Sequence, residues 1–343
     1  MRELDKKNIK KLTYILSAIL IVILFFLLQI IVQINSYYST ILCNIFIYVL
    51  FAVSLNITVG LMGQLSLGHA GFIAVGAYSS VMFTKYVFTS VPNDAVRLIL
   101  GCIIGGLFAA FFGFLVGIPI LRLKGDYLAI ITLAFGEMIK FTIQNLDFLG
   151  GAAGIRRIPQ ITTFTSIYWI VVICIIIITM VMTSRYGRLV LSIREDEIAA
   201  ENIGIPINKI KLFGFTISAM FAGVGGALLA HSYPTLEPLQ FNFVFSIDIL
   251  VMVVLGGLGS ITGAIVSASL LTILNESLRS FANFFPSNMG MYVQQGRYAF
   301  YALVLIFIMI FRPSGLLGTG EFRLNGIIKR FFPGKKNNEA GKG

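Results

Sequence analysis

A chain of 343 residues that is 57% apolar and 12% charged, with mean hydropathy +0.90, has too little polar surface to clothe a soluble fold of its size. Its net charge of +11 is explained by basic loops beside anionic lipid, so a nucleic-acid partner is unnecessary. The apolar residues lie in blocks close to the roughly 20 residues that a helix needs to cross a hydrocarbon core about 30 Å thick.

The predicted class is therefore all-α, a polytopic protein in the lipid bilayer with one transmembrane domain over residues 1–343. In chain order, spans are expected near Leu12–Val32, Ile41–Val59, Phe72–Val91, Leu98–Leu121 and Tyr127–Ile143. Ile167–Met182, Leu212–Ala230, Phe245–Leu255, Ile261–Leu274 and Tyr298–Phe311 follow, for about ten in all. The eighth and ninth are short and separated only by 256–260, so a re-entrant pair with eight full crossings is the alternative. The first block is too long for a signal-peptide core and no A-x-A-like site follows it, so it is read as an uncleaved span. With the N-terminus inside, 19 of the 26 basic residues fall on the cytoplasmic side, which predicts both termini to be cytoplasmic. Residues 319–343 form a polar, basic tail. Cys43, Cys102 and Cys174 lie within apolar blocks without metal or redox spacing and are read as packing residues.

Residues 56–78, NITVGLMGQLSLGHAGFIAVGAY, mix five glycines with Asn56, Gln64, Ser66 and His69. Two readings stand. Small residues let helices approach closely; alternatively, a broken helix with polar groups at membrane depth lines a path or binds a passenger. Asn56, Gln64, Ser66 and His69 are the substrate-pathway candidates. His69 has neither a second histidine nor a carboxylate nearby in sequence, so no metal site is expected. A second glycine-rich stretch, LGGLGSITGA, occupies 255–264.

The longest loop predicted inside, 184–211, reads SRYGRLVLSIREDEIAAENIGIPINKIK. Ser192 and Glu195 form a capping-box pattern that starts a helix at Ile193, with Glu195, Asp196 and Glu197 at its positive end. Gly204 and Pro206 end it near Ile203. A three-turn helix is marginal alone; Ile193, Ala199, Ala200 and Ile203 would pack either on the protein itself or on a cytoplasmic partner oriented by Arg188, Arg194 and the acids.

Three blocks, 56–78, LRLKGDYLAIITLAFGEMIK (121–140) and SRYGRLVLSIREDEIAAENIGI (184–205), carry a likeness that runs through nearly the whole chain. The sequence resembles the permease subunits of branched-chain amino-acid ABC importers, and the second block is similar to the larger-permease subfamily. The resemblance implies a second homologous permease, two cytoplasmic ATPase subunits, an extracytoplasmic binding protein and a bacterial inner-membrane location. It also implies that the loop helix docks on an ATPase. In the family's E-A-A-x-x-x-G signature Ala199, Ala200 and Gly204 match, whereas Ile198 stands in the Glu position and Glu197 precedes it.

No G-x-x-x-x-G-K-[ST] loop occurs, so ATP and Mg are expected on the partner ATPase and no cofactor on this chain. No catalytic set or G-x-S-x-G elbow is present, which marks a non-enzyme. Rival readings are a sugar or nucleoside permease of the same superfamily and an ion-coupled secondary transporter. The latter would use the intramembrane Glu137, Lys140, Asp248 or Glu276, but Glu137 and Lys140 are expected to pair at i, i+3.

Overall fold

The computed structural model describes residues 2–88, 91–123 and 125–282, together with 296, 302–303, 306–307, 310–311, 315–316 and 318. The expected span Tyr298–Phe311 and the tail 319–343 therefore lie largely or wholly outside the described residues. The helices are α1 (Arg2–Ile34), α2 (Ser36–Asn56), α3 (His69–Met82), α4 (Asp94–Ile120), α5 (Asp126–Asn145) and α6 (Phe164–Thr183). They continue as α7 (Arg185–Glu195), α8 (Glu197–Asn202), α9 (Ile207–Ser232), α10 (Phe243–Gly256) and α11 (Ile261–Ala282). Two-residue strands β1 (Ile155–Arg156) and β2 (Thr235–Leu236) pair antiparallel, Ile155 with Leu236 and Arg156 with Thr235, a detail the all-α expectation omits.

Six described segments are long and apolar enough to cross a membrane: Leu16–Ile34, Ser36–Leu61, Asp94–Ile120, Phe164–Thr183, Ile207–Ser232 and Ile261–Ser280. The chain is thus an all-α polytopic membrane protein. Of the two short segments expected at 245–274, only the first is short. The 14 residues of α10 rise about 21 Å, less than a hydrocarbon core, whereas α11 has 22 residues. α11 runs antiparallel to α2. Ser260, just before its start, meets Asn56 at the end of α2, and Tyr37 at the start of α2 bonds Glu276 and Ser280 near the end of α11.

α2 runs through the middle of the bundle: from Ile47 through Met62 every residue except Tyr48 is buried. Apolar side chains on all faces are what a helix enclosed by other helices requires. Beside it, α3, α4 and α9 pack through small residues. A Cβ on Gly76 would lie 2.2 Å from Gly223 Cα, and one on Gly113 2.5 Å from Ala219 Cβ. In lipid, helices gain little by burying apolar surface, so close backbone approach through such residues supplies the attraction. α1 lies at the edge, where Tyr168 on α6 donates to Ile21 O at 2.7 Å and the Phe25 ring packs on Tyr168 and Trp169.

Candidate functional site

α2 does not continue into α3. It widens into one π turn, Ile57–Leu61, closed by Met62 N–H donating to Ile57 O at 3.1 Å. Residues 62–68 are then irregular. Such backbone needs other partners, because lipid supplies none. Gln64 N–H donates to Thr58 O at 3.0 Å, Leu67 N–H to Thr132 Oγ1 on α5 at 3.1 Å, and Ala70 N–H to Ser246 Oγ on α10 at 2.9 Å. The break is also crowded: a Cβ on Gly68 would lie 2.1 Å from Thr132 O. The sequence left packing and path as alternatives, and the close approaches at these glycines supply the packing. The glycines admit close neighbours, and they flank a non-helical segment within the bundle.

The four pathway candidates occupy different places. Asn56, fully buried, clamps the turn between α10 and α11: its Nδ2 donates to Ser260 O at 3.1 Å, and its Oδ1 accepts from Gly259 N–H at 3.0 Å. His69, at the start of α3, bonds Ser54 Oγ through Nε2 at 2.9 Å, and Ser218 Oγ on α9 donates to Ser54 O at 2.7 Å. That chain ties three helices together inside the bundle. Ser66 is buried in the break. Gln64 is 9% exposed, and its Oε1 is buried without a hydrogen-bond partner.

The loop before α9 folds differently from the sequence reading. It holds two helices in place of one. α7 begins at Arg185, eight residues before the expected start at Ile193, and uses Gly187, Val190 and Ile193 as its buried face. Ser192 caps nothing; its Oγ donates to Leu189 O within α7 at 2.8 Å. The cap is Asp196, whose Oδ1 accepts from Ile198 N–H at 2.9 Å and Ala199 N–H at 3.0 Å to start α8. A carboxylate beside free N–H groups at a helix start outcompetes a hydroxyl that can bond back along its own helix. The far end matches expectation. Gly204 has φ +84°, its N–H donates to Glu201 O at 2.9 Å, and Ile205 N–H donates to Ala200 O at 3.1 Å, the double bond pattern of a Schellman stop.

The loop's residues divide between two surfaces. Ile193 and Ala200 are buried against the protein, while Ile198 and Ile203 are 72% and 76% exposed. Glu195, Ala199 and Gly204 are exposed as well. Arg188 Nη1 donates to Thr183 O at 3.2 Å at the end of α6. Glu197 pairs with the buried Lys211 of α9 at 2.9 Å, which fastens α8 to the bundle.

Arg194 alone among these residues reaches the break. Its Nη1 donates to Gly60 O in the π turn at 2.8 Å, and a Cβ on Gly259 would lie 2.7 Å from the same nitrogen. The two glycine-rich stretches and the loop therefore meet at one point, held by Arg194 and Asn56. A cavity of about 310 Å³ adjoins it, with Gln64, Asp126, Arg194, Glu197 and Lys211 among its walls. A second cavity, of about 490 Å³, is lined by Tyr48, Tyr233, Gln240 and Asp248.

Sequence reasoning missed several partners. Glu137 does pair with Lys140 as expected, but its Oε1 also accepts from Phe243 N–H at 2.8 Å and so caps α10. Ser54, Thr132 and Ser246 could have been flagged only as polar residues within apolar blocks.

A family described as the permease component of branched-chain amino acid transport systems matches residues 37–311. The chain is 34% identical over 310 residues to the high-affinity branched-chain amino acid transport system permease protein LivM of Escherichia coli, covering 79% of this chain and 68% of that protein. It is 25% identical over 319 residues to the probable permease LivM of Methanocaldococcus jannaschii, covering 79% and 90%. To the permease LivH of Salmonella typhimurium it is 24% identical over 294 residues, covering 80% and 92%. No solved structure matches the chain.

Proposed function

This chain belongs to the family of branched-chain amino acid transport permeases, and from that premise we propose that it is one of two membrane subunits of an ATP-driven importer. Two cytoplasmic ATPases, which carry ATP and Mg, and an extracytoplasmic binding protein complete the assembly. The fold reading that goes with this is ten crossings in a bacterial inner membrane. Nine are assigned to α1, α2, α3 with the turn Phe83–Val87 that follows it, α4, α5, α6, α9, α10 with the turn Pro238–Phe241 that precedes it, and α11, and the expected span Tyr298–Phe311 is the tenth. Both termini and the loop 184–211 face the cytoplasm, in line with the distribution of Lys and Arg. Residues 1–343 act as one transmembrane unit with 319–343 as a basic tail.

The observation that carries this reading is the hydrogen bond from Arg194 to Gly60 O. α7 and α8 form an exposed knob, with Ile198 and Ile203 outward, suited to an apolar groove on a partner. Arg194, near the end of α7, grips the π turn of α2 and abuts Gly259. A displacement of the knob by an ATPase would therefore act directly on both breaks. Packed helices respond to such a pull by switching between discrete arrangements, and alternating access is a switch of this kind.

The test is uptake of labelled leucine by the reconstituted assembly, run beside glucose and a nucleoside, with ATP supplied and a proton ionophore present. Leucine accumulation that needs ATP and survives the ionophore is the expected result. Preference for the sugar or nucleoside would reassign the substrate class, and abolition by the ionophore at constant ATP would replace the ATPase mechanism with ion coupling.

A further inference from the structure

The cavity beside Arg194 has a composition that the transport mechanism does not itself require. Its charged walls are Asp126, Arg194, Glu197 and Lys211. Glu197 and Lys211 pair with each other, which leaves Arg194 and Asp126, one charge of each sign, as the remaining ionic groups. Leu65, Leu123, Leu128 and Ile193 supply apolar wall. Gln64 completes the set with a buried Oε1 that accepts no hydrogen bond in the described structure. A buried acceptor left in that condition is unfavourable, so a turn of the amide toward a donor in the cavity would relieve it and favour binding. The volume, about 310 Å³, sits at the small end of the roughly 300–1,000 Å³ of small-molecule sites.

We infer that this cavity binds the zwitterion of an aliphatic amino acid from the cytoplasmic side. The guanidinium of Arg194 has donors beyond the one given to Gly60 O and a planar fork suited to a carboxylate. Asp126 accepts from the ammonium, joined by Gln64 Oε1 once its amide turns into the cavity, and the leucines and Ile193 receive the side chain. A simple anion would use only Arg194 and leave Gln64 and Asp126 unanswered, so the walls discriminate in favour of the amino acid. Because Arg194 also holds the π turn, and Asp126 starts α5, an occupant would bridge α7 to α5 and restrain the loop. The site would thus slow import when the cytoplasm is already supplied. This inference rests on the importer reading for its orientation and its ligand class.

The test uses the assembled transporter in inside-out vesicles without ATP or binding protein. Leu65→Cys, at a position 39% exposed, is introduced after Cys43, Cys102 and Cys174 are replaced by alanine, and labelling by an impermeant maleimide is timed. L-leucine should slow labelling about tenfold at ten times its Kd by mass action. Leucinol, which lacks the carboxylate, and 4-methylpentanoate, which lacks the ammonium, should give no protection at that concentration. Gln64→Met and Asp126→Asn should each raise the leucine concentration for half-protection about tenfold. Asp126 is exposed, so the second variant keeps the test intact should the first fail to assemble. Absence of protection by leucine, or equal protection by all three compounds, overturns the site. ATP-driven leucine uptake in oppositely oriented vesicles is read separately. Uptake without protection overturns the site alone, and protection without uptake supports the site while overturning the importer reading.

Discussion

At its outer end, the one away from the loop 184–211, the bundle is tied by hydrogen bonds that join different elements. Arg97 donates to Thr84 O, Thr84 Oγ1 bonds His231 Nε2 at 2.8 Å, and Thr162 Oγ1 donates to His231 O at 3.0 Å. Tyr78 OH donates to Leu236 O at 3.0 Å, beside the β1–β2 pair. The loop end is fastened otherwise. Beyond the buried Gly187, Val190, Ile193 and Ala200, the loop of α7 and α8 is held by long side chains, Arg194 to Gly60 O, Lys211 to Glu197 and Arg188 to Thr183 O, the first on backbone that is already broken. Short, buried, mutually bonded groups resist displacement, whereas a long side chain can keep its contact while its own helix shifts. The contrast places movement at the loop end and resistance at the outer end. It follows that substitutions near the loop should change transport more than stability, and those at the outer end the reverse.

The largest effect is expected where the ATPase would dock. Replacing both Ile198 and Ile203 with Glu should lower ATP-driven leucine uptake about thirtyfold or more, as for loss of a buried anchor worth about 2–4 kcal/mol. Both residues are more than 70% exposed, so the thermal midpoint of the purified permease should stay where it is. Undiminished uptake would remove the docking role.

Next in size is Arg194→Met, which keeps the stem and deletes the donors. A hydrogen bond from a charged donor is worth about 1.5–3 kcal/mol, and uptake should fall about tenfold or more with little change in melting. A variant that melts early yet transports normally would make Arg194 a structural prop and break the contrast between the two ends.

The outer end supplies the opposite case. Thr84→Val keeps the shape but strands His231 Nε2 in a fully buried site, at a cost of about 1–3 kcal/mol. The thermal midpoint should drop while uptake, measured well below it, is retained. Loss of uptake at unchanged stability would move the switching region outward.

How far these sites were legible depends on the range of the interaction. The spans α1, α2, α4, α6 and α9 follow from blocks of apolar residues, a property that composition alone records. α3 starts at His69, three residues before the expected Phe72, because its polar first residue is received inside the bundle by Ser54, a partner no apolar block announces. α7 was missed because Gly187, which scores against a helix, is one of the three residues of its buried face. The stop at Gly204 was legible because a Schellman turn is made by adjacent residues. The meeting of Arg194 with Gly60 spans 134 positions and that of Asn56 with Ser260 spans 204. No local rule connects residues that far apart, so the candidates were found separately and their assembly was not.

The smallest effect tests the local physics of the loop itself. Ser192 and Asp196 both satisfy an N-cap rule, but only Asp196 accepts from two N–H groups, those of Ile198 and Ala199. Asp196→Ala should therefore cost about 0.5–2 kcal/mol, confined to α8, because the six-residue helix has few other bonds of its own. Ser192→Ala, which removes only a bond back to Leu189 O, should cost close to nothing. Hydrogen exchange at Ala200 and Ile203 N–H, which close on Asp196 O and Ala199 O, reads the difference directly. Faster exchange in the Asp196 variant alone is the expected result, and it should come with a modest fall in uptake, since a frayed α8 presents Ile198 less often. Equal exchange in the two variants would return the helix start to Ser192, and the loop would then be one rigid lever in place of two jointed helices.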